Sequence, residues 1–326
     1  MNQNRQSVLE TKREVFLKSV KEGTKKGARS YVWIMKILVP VSFLTALLAW
    51  SGLLEKCSFI VEPIMSLIRL PACAALPLII GTTSTIYGTV AAMAFLPLTL
   101  NQMSFIAVFI LITHGLLFET SVQAKSGMPA VKAVLVRLVT SIITIWIMGL
   151  FIDTSGSAAP LMDNSGQIGM AFSTMAYGWF KTTLYLSVKI FFIIITILSI
   201  MEIMKNFGWI NYIIRFCGPV FTIMGISKNC GFIWLTSQIF GILYGSAIIM
   251  EETREKHFEK HELDNLHVSI GINHAMVEDP CIFLILGINP FLLWLPRLIA
   301  ALIAVRINNL LRPKRVKVFK PGHQEA

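Results

Sequence analysis

Charge is scarce in this 326-residue chain: 14% of residues are Asp, Glu, Lys or Arg, and 55% are hydrophobic. An average soluble domain carries about a quarter charged residues, so that class is excluded. Cysteine is sparse too. The five cysteines are scattered with no Cys-x-x-Cys pair, which argues against a disulfide or zinc framework. No Gly-x-x-x-x-Gly-Lys-Ser/Thr loop occurs, so no P-loop nucleotide site is expected. No Ser, His and Asp stand in a recognisable nucleophile context, and the chain is not read as an enzyme. The two-residue alternation of a membrane barrel is absent. The segment from Asp153 to Ala176 contains no Lys or Arg at all.

What is present is a series of apolar runs near the roughly 20 residues that span a bilayer. Backbone groups in lipid must be satisfied within the chain, so these runs predict an all-α polytopic membrane protein. The formal charge of +11 is concentrated at the two ends and in short loops. It reads as a topology determinant and a contact for anionic lipids, not as a nucleic-acid surface. Residues 1–30 hold eight Lys or Arg, from Arg5 to Arg29. They predict a basic cytoplasmic tail, either a short interfacial helix or a solvated basic segment. No small-residue cleavage site follows the first apolar run, so no signal peptide is expected.

The expected spans are Tyr31 to Leu54, Gly81 to Leu98, Ser104 to Val122 and Ala130 to Ile152 in the first half. In the second half they are Trp179 to Lys205, Phe232 to Met250, Leu266 to Leu286 and Phe291 to Leu311. Two segments read as awkward. Cys57 to Ile80 holds Glu62, Pro63, Arg69 and Pro71, and predicts an amphipathic helix followed by a re-entrant piece. Phe207 to Cys230 is interrupted by Gly218-Pro219 and Gly225.

One motif occurs twice. Ile112-Thr113-His114-Gly115-Leu116-Leu117-Phe118-Glu119 returns as Ile272-Asn273-His274-Ala275-Met276-Val277-Glu278-Asp279. Each copy puts a histidine inside an apolar run and a carboxylate five residues later. An ionisable group within a membrane is costly and marks a functional candidate. A shift of 160 superposes His114 on His274, Glu119 on Asp279, Gly127 on Gly287 and Arg137 on Arg297. Upstream, a shift of 157 puts Tyr87-Gly88 over Tyr244-Gly245 and Cys73 over Cys230. The chain is therefore read as two repeats, 31–152 and 179–311, joined by an extracytoplasmic connector at 153–178 and followed by a basic cytoplasmic tail at 312–326. Basic ends and a centre without Lys or Arg put both termini in the cytoplasm. Each half then crosses an odd number of times, five and five, and the two are inverted. That is the common build of secondary transporters, with substrate near the midplane.

These paired segments resemble the Gate, or nucleoside-recognition, domain of concentrative nucleoside transporters, of the membrane part of bacterial ferrous-iron transporters, and of spore-maturation membrane proteins. The resemblance rests on Tyr87-Gly88, Tyr244-Gly245, His114 to Glu119, His274 to Asp279, and the Gly-Ile-Asn-Pro turn at Gly287 to Pro290 before Leu295-Pro296-Arg297. It covers about residues 35 to 310 and implies a transporter-like fold. The missing P-loop departs from the ferrous-iron proteins.

The expected substrate site comprises Thr113, His114, Glu119, Asn273, His274, Glu278 and Asp279, with Tyr87 and Tyr244 as amphipathic walls. Such a set hydrogen-bonds a small polar solute, nucleosides among them. Thr83, Ser84, Thr85, Ser237 and Gln238 are placed along the pathway, or else bonded to their own backbone. Imidazole with carboxylate also suits a divalent metal, with His114, His274 and Glu278 as ligands. His274 and Glu278 share a helix face. Residues five apart lie about 140° apart on an unbroken helix, so a metal set containing Glu119 or Asp279 needs local unwinding or several helices. Arg137 and Arg297 are expected to pair with Glu119 and Asp279. His257, His261 and His267 flank a charged loop. No cofactor is expected beyond a coupling ion or divalent metal. Partners are a small solute or ion, membrane lipids and, in an alternative reading as a non-transporting subunit, a membrane partner or a second copy; nucleic acid is not among them.

Overall fold

The computed structural model describes residues 2–56, 58–155, 170–209, 212, 216, 218–255 and 258–311. The described residues form helices, short 3-10 turns and connecting loops, with no β-strand. Among the described residues, five helical segments are long and apolar enough to cross a membrane: Lys12–Trp50, Leu100–Lys125, Ala130–Phe151, Phe172–Asn206 and Pro290–Leu310. A sixth counts if Ser58–Leu67 and Ala72–Thr83, bent by 88°, are taken as one span. This bend is the awkward first-half segment. It falls at Arg69, whose φ is 57°, and Pro71, which caps the following turn.

The largest departure from expectation is at the N-terminus. One helix runs from Asn2 to Trp50, with no separate interfacial helix before the first span. At 1.5 Å per residue its 49 residues extend about 74 Å, over twice the roughly 30 Å hydrocarbon layer. Packing explains its continuity. The helix lies antiparallel to Phe172–Asn206, and Gly23 and Gly27 bring the two backbones together. A Cβ on Gly23 would sit 2.4 Å from Ser199 Cα. Lys26 pairs with Glu202 at 2.5 Å, Asn206 donates to Ser19 at 2.9 Å, and at the other end Trp50 donates to the Met170 carbonyl at 2.8 Å.

Four expected spans are broken. Gly81 to Leu98 starts in the last turn of Ala75–Thr83, breaks, and continues as Ile86–Met93, and Phe232 to Met250 is Gly231–Phe240 and Ile242–Glu255. The first pair folds back on itself, since Thr89 donates to the Pro77 carbonyl at 3.2 Å. Glycine permits the turn-back: a Cβ on Gly88 would lie 2.6 Å from Ile80, and one on Gly245 would lie 1.8 Å from Ser237. Both contacts join residues eight apart, and they match under the 157 shift. The other two breaks are Leu100–Thr113 followed by Leu116–Lys125, and Lys260–Ile272 followed by Glu278–Phe283.

Element boundaries recur at the sequence offsets. Leu100–Thr113 and Ala130–Phe151 correspond, 160 residues on, to Lys260–Ile272 and Pro290–Leu310. These four helices pack against one another. Gln123 donates to the His267 carbonyl at 3.0 Å, and His267 Nε2 lies 3.0 Å from the Ser126 carbonyl, so the two halves are bonded directly.

Candidate functional site

The site forms where two helices stop. Leu100–Thr113 ends at His114, and Gly115 then turns left-handed with φ 53°. Lys260–Ile272 ends at Asn273, and Ala275 takes the equivalent conformation with φ 45°. Each break frees backbone carbonyls that must be satisfied in a dry interior. The buried arginines do this. Arg137 donates to Ile112 O and His114 O, each at 2.7 Å, and Arg297 donates to His274 O at 2.9 Å. Glu119 N donates to Gly115 O, and Asp279 N to Ala275 O, which starts the next helix in each copy.

The breaks turn the two histidines toward each other. His114 and His274 are buried, their ring centroids 4.9 Å apart and their Nε2 atoms 3.3 Å apart. Glu119 Oε1 lies 3.4 Å from both Nε2 atoms, and Asp279 Oδ2 lies 3.3 Å from His114 Nε2. Ligand atoms of His114, His274 and Asp279 all lie within 4.8 Å of one another. Local unwinding thus brings together side chains that one unbroken helix would point apart.

The other expected site residues fall in several places. Glu278 is not beside His274: its helix begins at Glu278 itself, so four-residue spacing has no meaning across the break. Glu278 instead accepts from the Tyr87 hydroxyl at 2.8 Å, which ties the first half's Tyr-Gly helix to the second half. Asp279, not Glu278, joins the two imidazoles. Thr113 is buried and donates to Phe109 O at 2.9 Å within its own helix. Asn273 is fully buried, and both its side-chain polar atoms lack a hydrogen-bond partner. The Tyr244 side chain and His257 lie outside what the structure describes. Thr83 and Ser237 bond to carbonyls of their own helices, whereas Gln238 donates to the Asn273 carbonyl and keeps a buried Oε1 without a partner.

Arg137 pairs with Glu119 at 2.8 Å, as its spacing predicts. The matching pair of Arg297 with Asp279 does not form among the described residues, because Asp279 faces His114. His267, expected at the edge of the charged loop, is fully buried within Lys260–Ile272. His261 pairs with Glu259 at 2.9 Å. Sequence reading missed Gln123, whose neighbours carry no sign of its cross-half bond to the His267 carbonyl.

Apolar helices of spanning length, enclosing a buried polar cluster, define a helical membrane protein. Residues 187–305 match the family model of the Gate domain, described as nucleoside recognition. The matched stretch lies in the second half of the chain and agrees with the resemblance read from the motifs. The chain is also 25% identical over 299 residues to the uncharacterized membrane protein YvoD of Bacillus subtilis (strain 168), covering 86% of this chain and 91% of that protein. No solved structure matches the chain.

Proposed function

We infer that the protein is a secondary transporter that moves a small polar solute or ion through the His114, His274, Glu119 and Asp279 cluster. The observation that carries this reading is the matched pair of helix breaks, which brings one histidine and one carboxylate from each half into a single buried site. Discontinuous helices meeting at a repeat interface are how many transporters build a midplane site. In this reading residues 31–152 and 179–311 are inverted halves of five segments each. The folded-back helix pairs at Ala75–Met93 and Gly231–Glu255 count among those segments, and both termini face the cytoplasm. The recurring boundaries, the Gly88 and Gly245 contacts, and the charge bias of the tails support it. The family description puts nucleosides on the panel of solutes to be tested.

The test is uptake into proteoliposomes by wild type and by His114→Ala and His274→Ala variants of equal yield. Loss of uptake in both variants is expected. Undiminished uptake in both would remove the cluster from the mechanism.

A further inference from the structure

The cluster has too few hydrogens for its acceptors. His114 Nδ1 lies 3.0 Å from Ile110 O, and His274 Nδ1 lies 2.8 Å from Ile270 O. A carbonyl oxygen only accepts, so each Nδ1 carries the hydrogen and each neutral ring presents a bare lone pair at Nε2. Those two lone pairs face each other across 3.3 Å. Glu119 Oε1 and Asp279 Oδ2 add two more acceptors at 3.3 to 3.4 Å. Arg137 reaches Glu119 through the other oxygen, Oε2, and leaves Oε1 to the cluster. Asp279 Oδ2 is buried without any hydrogen-bond donor. A proton on His114 Nε2 answers the contacts that His114 makes but leaves His274 Nε2 facing Glu119 Oε1; a cation among the four atoms answers all of them.

The spacing suits one kind of cation. A tetrahedral ion with bonds of about 2.0–2.2 Å has ligand-to-ligand edges of roughly 3.3–3.6 Å. Four of the six separations among these atoms are 3.3, 3.3, 3.4 and 3.4 Å, and Asp279 comes within 4.8 Å of His274, so a small inward movement of Asp279 completes the tetrahedron. An Nδ1–H bonded to a backbone carbonyl is also the outer contact that orients a metal-bound histidine. Charge agrees, since three carboxyl groups (Glu119, Glu278, Asp279) stand against two guanidiniums (Arg137, Arg297) in the same buried region. Two imidazoles favour a first-row transition ion over magnesium or calcium, which take oxygen ligands.

We propose that His114 Nε2, His274 Nε2, Asp279 and Glu119 bind one divalent transition-metal ion of the zinc, cobalt(II), iron(II) and manganese(II) class. Binding stands on the cluster alone; that the ion crosses the membrane rests on the transport reading above.

The experiment uses the full chain purified in detergent, stripped with a chelator, loaded with Co2+ and desalted. One Co2+ per chain is expected, with the visible absorption of a tetrahedral nitrogen and oxygen site. Zn2+ should displace it and millimolar Mg2+ should not. His274→Gln should lose the bound ion, while His261→Gln, remote from the cluster, should keep it. Wild type that retains neither Co2+ nor Zn2+ after desalting would overturn the proposal, whatever becomes of the variants. Liposomes containing a metal-sensitive dye separate the two readings. A bound ion without metal flux keeps the site and removes metal transport. Uptake of an organic solute by protein that binds no metal removes the site and keeps transport.

Discussion

Two residues at the breaks give the sharpest tests at the smallest scale. Arg137 is fully buried and holds Ile112 O, His114 O and Glu119 together. Arg137→Met leaves a carboxylate and two carbonyls without their donor, and removing one partner of a buried pair costs about 3–5 kcal/mol. Arg297 lacks the ion pair, so Arg297→Met should cost less. Thermal unfolding of the two variants in detergent checks the order, and equal losses would contradict the assigned contacts. Ala275 occupies a left-handed conformation that its counterpart Gly115 takes freely. Relief of roughly 1–2 kcal/mol of strain is partly offset by the greater freedom of glycine in the unfolded chain. Ala275→Gly should therefore raise the melting temperature slightly, and a fall would show that the turn is not strained. The histidine and acid pairs were legible in the sequence because polar groups stand out in an apolar run. The turns between them were not, because Gly115 and Ala275 sit among residues that also make good helix. Nor was the swap of Asp279 for Glu278 legible, since it follows from where a helix begins.

At the scale of elements, close packing decides what hydropathy alone does not. The N-terminal tail carries charge like a surface helix, yet Gly23 and Gly27 fasten it to Phe172–Asn206. Gly23→Leu would drive a side chain into Ser199 and Leu198 backbone atoms, and overpacking of this kind costs about 1–3 kcal/mol. A lower unfolding temperature and faster proteolysis of the N-terminal helix are the expected signs; an unchanged digestion pattern would argue against this contact. The folded-back pair at Gly231–Glu255 reads in sequence as a single span because both arms are apolar, and the turn of the Ala75–Met93 pair falls inside the expected span Gly81 to Leu98. Their turns depend on contacts eight residues apart, Gly88 with Ile80 and Gly245 with Ser237, which no hydropathy window detects.

Across the whole molecule, the all-helical membrane class was plain from composition, and helix boundaries recur at the sequence offset of 160. The count of spans was harder to read, because several segments that hydropathy treats as single crossings are broken. The proposed inverted arrangement makes its own prediction. A cysteine placed at Ser165, in a background without native cysteines, should react with a membrane-impermeant reagent from outside intact cells. Labelling from the cytoplasmic side alone would rule out the inversion. The central claim is that solute passes through the cluster shared by the two halves. The most direct measurement is flux into proteoliposomes across a panel of nucleosides, small organic anions and divalent metals, with wild type and the His114→Ala, His274→Ala double variant at equal density. The account predicts flux of at least one solute by wild type and background flux by the double variant. Equal flux by both proteins, or no flux by either with a stable membrane partner recovered instead, would contradict it.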